Sequence, residues 1–317
     1  MKKVLVTTRL LKSNKERISK LWDAKFNLSN EIYSENKLIE LSKDCDGILS
    51  SILDKIDEKI INKLSDKVKI ISNFAVGIGN IDIKAARKRD IIVTNTPDVL
   101  TDATAEIAML LILGTSRRVV EGIKWAKNKN WKWAADFLIG KQLFGSRLGI
   151  LGMGRIGRAV AKRAKAFGME IHYHNRSKLD QDLEAGATYH DNIKSLFSIS
   201  DVLSINCPAT KETRKIINKE TLNFFSKEDI IINSARGDMI DDDAMVEALK
   251  NKRIFALGLD VYNGEPDIHP GYLQYPNVFI LPHLGSATKK TRIDMANLAI
   301  NNIEEFFKTG KCINQVN

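Results

Sequence analysis

Short apolar runs alternate along the whole chain with segments whose apolar residues return at helical spacing. The runs predict strands at Val4–Thr7, Gly47–Ser50, Val68–Ser72, Ile91–Asn95, Leu148–Leu151, Glu170–Tyr173, Val202–Asn206, Ile230–Asn233, Ala256–Asp260 and Val278–Leu281. Several, such as Ile230-Ile231-Ile232, are apolar without alternation, as in strands covered on both faces of a parallel sheet. With helical patterns between them, the class is α/β, built of βαβ units. A long helix is expected from Thr101, capped by Thr101, with Asp102 and Glu106 at its positive end and Ala105–Leu113 propagating it. Another is expected from near Ser286, where Ile293, Ala296, Ile300, Ile303 and Phe307 share one face and pack into a core.

Composition narrows the class. A chain of 317 residues suggests about two domains, and 44% hydrophobic with 28% charged residues excludes a disordered protein. Cys45, Cys207 and Cys312 form neither a disulfide framework nor a zinc spacing, so a reducing compartment and no metal are expected. The apolar start is broken at Thr7, Thr8 and Arg9 and reads as a strand rather than a signal peptide. The longest apolar stretch, Ile107–Leu113, is far short of the roughly 20 residues that span a bilayer. A soluble, cytoplasmic protein without a membrane partner is expected. The net charge of +10 is spread over lysine-rich helical faces with no basic block interleaved with aromatics, so no nucleic-acid partner is expected. The excess positive charge instead suits small anions in a cleft.

The strongest local signal is Gly152-Met153-Gly154-Arg155-Ile156-Gly157, which follows an apolar strand and opens a helix ended by Gly168. In that setting GxGxxG reads as a dinucleotide loop. Gly152 permits the turn, Gly154 lets the backbone approach a pyrophosphate, and Gly157 lets the helix pack closely. The helix N-terminus favours the phosphates. At the end of the next strand, where an NAD site places an acid, the chain has Asn175-Arg176-Ser177-Lys178. These cations and neutral hydrogen-bonders predict a preference for NADP(H), with NAD(H) as the alternative.

Three later strand ends each carry one chemically active side chain: Arg236 in Asn233–Gly237, Glu265 in Asp260–Pro266 and His283 in Pro282–Thr288. Ligands of open α/β sheets bind at such ends. Arg236 suits a substrate carboxylate and polarises an adjacent ketone. His283 suits a proton donor to a developing alkoxide, and Glu265 a partner that orients the ring and favours its protonated form.

With Val76–Asp82 and Pro97–Glu106, these motifs run through nearly the whole chain in the order of the D-2-hydroxyacid dehydrogenases, which the chain resembles, most of all in the glyoxylate/hydroxypyruvate reductase branch. The resemblance implies Arg236, Glu265 and His283 as the catalytic trio, with His283 the proton donor. It implies that the amides of Val76 and Gly77 hold the substrate carboxylate with Arg236, and that Leu53 and Ser286 lie near the substrate. Arg155 and Ile156 would meet the pyrophosphate; Thr104, Cys207, Pro208, Thr213, Ala235, Asp260 and Gly285 would line the cofactor cleft. The implied architecture is a discontinuous, flavodoxin-like substrate domain at 1–97 and 288–317 around a Rossmann-type doubly wound cofactor domain at 98–287. The helix from Thr101 would cross between them.

The expected reaction reduces a small 2-oxoacid to its 2-hydroxyacid: glyoxylate to glycolate, or hydroxypyruvate to D-glycerate. Alternatives within the family are 2-ketogluconate reductase, D-lactate dehydrogenase and phosphoglycerate dehydrogenase. The last often carries a further C-terminal domain, and this chain ends soon after its last helix. A non-enzymatic, NAD(H)-sensing corepressor-like scaffold is the alternative from another class. The branch also implies a homodimer, in which a tryptophan at the position of Trp133, in Trp131-Lys132-Trp133, reaches the neighbouring subunit. Ala134-Ala135 follow where the branch usually has proline. Asp241-Asp242-Asp243 reads as a helix start rather than a metal site, His172 and His174 as structural, and Gly77-Ile78-Gly79 as no second nucleotide loop.

Overall fold

The computed structural model describes all 317 residues, which form two compact units, Met1–Leu100 with Ala287–Asn317, and Thr101–Ser286. The junctions expected at 97/98 and 287/288 compare with 100/101 and 286/287 here.

The first unit starts with β1 (Lys3–Val6), α1 (Lys12–Leu21), β2 (Asp23–Phe26), α2 (Glu35–Ser42), β3 (Gly47–Ser50), α3 (Glu58–Lys63), β4 (Ile70–Asn73), α4 (Ile83–Lys88) and β5 (Ile92–Thr94). Its five strands are all parallel in the order β2-β1-β3-β4-β5, the flavodoxin-like arrangement. Leu5, Ile48, Ile71 and Val93 pack with Ile60, Ile61, Ala85 and Ala86 of α3 and α4 on one face.

The second unit comprises α5 (Thr101–Ser116), α6 (Val119–Lys127), β6 (Arg147–Leu151), α7 (Arg155–Ala166), β7 (Glu170–His174), α8 (Gln181–Glu184), β8 (Thr188–Tyr189), α9 (Ile193–Ile199), β9 (Val202–Ile205), β10 (Ile230–Asn233), α10 (Asp242–Lys250), β11 (Ala256–Leu259) and β12 (Val278–Ile280). Its seven parallel strands run β12-β11-β10-β9-β6-β7-β8, a Rossmann-type order that reverses between β6 and β9. The uninterrupted Ile230-Ile231-Ile232 run now has its cause. Ile230 and Ile232 join the core with α5 and α7, whereas Ile231 joins the opposite core with Leu196, Phe197 and Met245 of α9 and α10.

The chain then returns to the first unit as α11 (Lys289–Thr309). It starts at a Thr288 cap, which accepts from the Thr291 amide, close to the start expected near Ser286. Ala296, Ile300 and Ile303 of the expected stripe are buried, and Ser72 Oγ on β4 donates to the Ala299 carbonyl. Two details differ from the sequence-based expectations. Helix α5 begins at Thr101 itself, so Thr101 is its first helical residue and not its cap; the preceding turn carries Asp98 at φ 70°. The edge strands β2 and β8 were absent from the apolar runs, because Asp23-Ala24-Lys25-Phe26 is only partly buried and Thr188-Tyr189 is two residues long.

Candidate active site

The nucleotide loop joins β6 to α7 at the point where the strand order reverses. Gly152 takes φ +95°, a region L side chains disfavour, and a Cβ there would lie 2.5 Å from the Cys207 amide nitrogen. The loop is therefore pressed against the chain leaving β9. Gly157 is equally constrained, since its Cβ would meet the Gly152 carbonyl at 2.3 Å. Gly154, the N-cap of α7, faces open space: a Cβ there finds nothing within 4 Å. A glycine kept where a side chain has room, at the start of a twelve-residue helix, is a cradle for a phosphate-bearing ligand. Arg155 is exposed and Ile156 half-buried beside it.

Asn175 follows β7 directly, and its Oδ1 accepts from the Met153 amide at 2.7 Å, bracing the glycine loop from the side. Arg176, Ser177 and Lys178 are exposed just beyond, with Lys178 Nζ 3.8 Å from Glu184. Cys207 is half-buried behind Gly152, and burial pushes its thiol up to about 12, so it is an inert wall. In the next turn Thr213 Oγ1 donates to the Pro208 carbonyl at 2.8 Å and accepts from the Thr210 amide at 2.7 Å, which fixes the turn's shape.

Arg236, Glu265 and His283 follow β10, β11 and β12, three neighbouring strands. His283 Nδ1 lies 2.6 Å from Glu265 Oε2, and the other carboxylate oxygen accepts from the Tyr262 amide at 2.9 Å. Burial raises the Glu265 carboxyl, but the His283 bond and charge, the Tyr262 amide and the Arg236 charge outweigh it and hold it below the ordinary value. Burial lowers the Arg236 guanidinium against the opposing pull of Glu265 and Asp238. Arg236 Nη1 donates to the Ala235 carbonyl at 2.6 Å. Gly237 makes this proximity possible: a Cβ there would lie 1.8 Å from the Tyr262 carbonyl carbon, so the Arg236 and Glu265 loops touch backbone to backbone.

His283 stands at φ 54°, an unfavourable conformation for a residue with a side chain, and the surroundings hold it there. Asp260 contributes to this. Its two carboxylate oxygens accept from the amides of Leu284 (2.6 Å) and Gly285 (2.8 Å), immediately after His283. Burial raises the Asp260 carboxyl, and these amides oppose it. Thr104 Oγ1 donates to the Gly285 carbonyl at 3.1 Å, tying α5 to the same turn, and Ser286 follows half-buried. Tyr262 OH donates to the Leu281 carbonyl. Asn233 clamps the arginine loop, donating to the Arg236 carbonyl (2.8 Å) and accepting from the Ala235 amide (3.0 Å). Asp260, Asn233 and Tyr262 thus have supporting roles that spacing does not reveal, although each lies within Asn233–Gly237 or Asp260–Pro266.

Leu53, Val76 and Gly77 belong to the other unit. Leu53 is 43% exposed on the loop after β3, and Val76 and Gly77 are half-buried on the loop after β4. Neither the Val76 nor the Gly77 amide donates to a group of the protein. No cluster of His, Cys, Asp and Glu suits a metal, and Asp241 caps α10 by accepting from Ala244. His172 and His174 bond to His190, within the sheet edge. No helix is long and apolar enough to cross a membrane.

A Rossmann-type sheet with an open glycine cradle, and a guanidinium, carboxylate and imidazole on adjacent strand ends, defines a nicotinamide-dependent oxidoreductase. Residues 109–285 match the model for the NAD-binding domain of D-isomer specific 2-hydroxyacid dehydrogenases. The glycerate dehydrogenase of Hyphomicrobium methylovorum is 38% identical over 309 residues, covering 96% of each chain. The glyoxylate reductase of Pyrococcus furiosus is 40% identical over 276 residues, 85% of this chain and 82% of that one. Among solved structures, the NADPH-dependent glyoxylate/hydroxypyruvate reductase of Sinorhizobium meliloti, in complex with NADP and malonate, superposes with a TM-score of 0.89 at 32% identity, covering 99% of this chain and 96% of that one. The chain belongs to the D-2-hydroxyacid dehydrogenase family.

Proposed function

We propose that this protein is an NADPH-preferring reductase of glyoxylate and hydroxypyruvate, forming glycolate and D-glycerate. The observation that carries the chemistry is the His283–Glu265 pair at 2.6 Å beside the Arg236 guanidinium. Relatives named glyoxylate reductase and glycerate dehydrogenase support the substrate class. A bound nicotinamide would supply the hydride. Arg236 binds the substrate carboxylate and draws electron density from the neighbouring ketone. The amides of Val76 and Gly77 share that carboxylate, and Leu53 and Ser286 bound the small substrate. With Nδ1 committed to Glu265, His283 holds its reactive proton at Nε2 and gives it to the carbonyl oxygen as negative charge develops there.

Gly152, Gly154, Arg155, Ile156 and Gly157 would hold the cofactor at its pyrophosphate, with Thr104, Cys207, Pro208, Thr213, Ala235, Asp260 and Gly285 along it. Arg176 and Lys178, with Ser177 between them, favour a 2′-phosphate over a 2′-hydroxyl, because positive charge stands where an acid would select NAD. Asn175 serves this site by bracing the Met153 amide.

The protein acts as a homodimer in the cytoplasm. Helix α6 buries none of its residues, and Ile123, Trp125, Trp131, Trp133 and Ile139 stay 40–80% exposed on one stretch of chain. A second copy suits such an uncovered apolar face. The three free thiols suit a reducing compartment.

The deciding experiment follows NAD(P)H absorbance at 340 nm with glyoxylate, hydroxypyruvate, pyruvate and 2-ketogluconate, using each cofactor. The highest kcat/KM is expected for the first two substrates with NADPH. Absence of turnover with every 2-oxoacid would overturn the assignment in favour of a nucleotide-sensing scaffold.

A further inference from the structure

The loop after β4 carries an arrangement that its sequence does not announce. Three consecutive carbonyls are each held by a nitrogen of the same unit. The Ala75 carbonyl accepts from the Thr96 amide at 2.9 Å. The Val76 carbonyl accepts from Asn95 Nδ2 at 2.8 Å, and the Gly77 carbonyl from Asn73 Nδ2 at 2.9 Å. In a trans peptide the C=O and N–H point in opposite directions. Holding the Ala75 carbonyl therefore aims the Val76 N–H, and holding the Val76 carbonyl aims the Gly77 N–H. Asn95 and Thr96 are adjacent at the end of β5, so both amides are turned away from the same piece of chain, and both are left without a protein acceptor. Successive unsatisfied N–H groups held this way form an anion-binding concavity.

A third asparagine extends the network to the neighbouring loop. Asn80 Nδ2 donates to the carbonyls of Ser51 and Asp54, each at 3.0 Å, while its Oδ1 accepts from Asn73 Nδ2 at 3.0 Å. Asn73 is fully buried, and its Oδ1 accepts from Ser50 Oγ at 3.1 Å. Buried Asp54 accepts from the Ser51 amide at 2.7 Å and from Thr7 Oγ1. The loop bearing Leu53 and the loop bearing Val76 and Gly77 are thus pinned by one set of side-chain amides.

We propose that Asn95 is a positioning residue for substrate recognition, which aims the Gly77 amide at the substrate carboxylate by holding the Val76 carbonyl, with Asn73 and Asn80 fixing the two flanking loops in register. This rests on the reading that the Val76 and Gly77 amides bind the carboxylate. It adds that the substrate carboxylate is selected by backbone whose direction is set from behind, so the asparagine need not touch the ligand.

The test measures glyoxylate KM and kcat, inhibition by oxamate and NADPH dissociation for wild type, Asn95→Ala and Asn95→Asp. Oxamate reports carboxylate binding without turnover. Asn95→Asp keeps the shape, loses the donor and repels the Val76 carbonyl. Both variants should raise the glyoxylate KM and the oxamate inhibition constant in parallel, about tenfold or more, as expected for a misaimed hydrogen bond to a charged group. The kcat should change far less, the signature of uniform binding. NADPH dissociation should stay within about twofold, since the glycine cradle is elsewhere. Should Asn95→Ala fail to fold, Asn95→Ser, which is small and can donate, replaces it with a smaller expected rise.

Wild-type KM and inhibition constants in Asn95→Asp would overturn the positioning role while leaving the proposed function standing. Oxamate that binds wild type weakly, and no more weakly after Arg236→Lys, would overturn the carboxylate site itself and this proposal with it.

Discussion

His283 Nδ1 and Glu265 Oε2 are 2.6 Å apart, which commits one imidazole nitrogen to the carboxylate and leaves Nε2 as the only ring position for proton delivery. The carboxylate is fixed in turn by the Tyr262 amide at 2.9 Å, so the ring's orientation is set by the β11 loop rather than by its own strand. Replacing His283 by Ala should lower kcat for glyoxylate reduction about 10²–10⁴-fold, the usual contribution of a positioned general acid. NADPH binding should stay near wild type. Glu265→Gln should lose less, because Gln keeps a hydrogen bond but not the charge. Stopped-flow and steady-state rates at 340 nm decide this, and wild-type kcat in His283→Ala would remove the proton-donor role.

Asp260 holds the backbone that holds His283. Both of its oxygens accept amides, from Leu284 and Gly285, and the carboxylate is almost completely buried. Asp260→Asn can offer only one oxygen, so one of the two amides loses its acceptor at a cost of about 1–3 kcal/mol. The expected result is a lower Tm together with a lower kcat, since the positive φ at His283 is no longer enforced. A variant with the Tm lowered and kcat unchanged would separate the fold of this turn from its chemistry.

The fold was legible where burial leaves a periodic mark. The two-sided burial of Ile230-Ile231-Ile232 and the glycine loop at Gly152–Gly157 could be read because each obeys a local rule. Edge strand β2 was not, since a half-buried Asp-Ala-Lys-Phe has no alternation to show. The candidate trio Arg236, Glu265 and His283 was legible as a proposal because each residue follows a predicted strand. The residues that orient it were not. Asn233, Asp260 and Tyr262 act through backbone groups of loops brought together only by the order β12-β11-β10. The network of Asn73, Asn80 and Asn95 is hidden for the same reason: a buried asparagine's partner is fixed by tertiary packing and not by spacing.

Cofactor choice should follow the exposed Arg176 and Lys178. Replacing both with Ala removes two cations from the end of β7 while leaving the Asn175–Met153 brace intact. The KM for NADPH should rise by about tenfold or more, and the KM for NADH should change little, because only the former carries a 2′-phosphate for charge-assisted hydrogen bonds. Equal changes with both cofactors would show that these residues support the loop generally and do not read the phosphate.

The uncovered face of α6 predicts the assembly. Trp125 and Trp131 both pack on Phe137, with ring centroids 5.6 Å and 6.4 Å apart, so the segment is organised although its tryptophans stay 40–80% exposed. Light scattering should find two 35.6 kDa chains per particle. Ile123→Glu on α6 with Trp133→Glu on the chain after it, placing charge on this exposed apolar stretch, should yield a monomer. Dimers that persist in the double variant would place the interface elsewhere.

Stability should depend on pH through a histidine pair far from the catalytic strand ends. His172 Nδ1 lies 3.0 Å from His190 Nε2, and His190 Nδ1 lies 3.1 Å from Ser195 Oγ, while His174 Nδ1 is held by the His190 carbonyl at 2.8 Å. Burial lowers His172 from its ordinary value of 6.5, reinforced by His190 and Arg147 and opposed by Glu170 and Asp201. Burial lowers His190 as well, opposed by Asp191 and reinforced by His174. A depressed histidine means that the folded state prefers the neutral ring. The stabilisation is therefore present above the unfolded value and is lost as pH falls below it and through the depressed folded values. A single proton can be shared across the 3.0 Å contact, but a second sets two cations against each other. Tm should fall between pH 7.5 and 5.5, and His190→Gln, which cannot be protonated, should make that fall shallower even if it costs some stability at pH 7.5. An equally steep or steeper fall in the variant would assign the acid sensitivity to other groups.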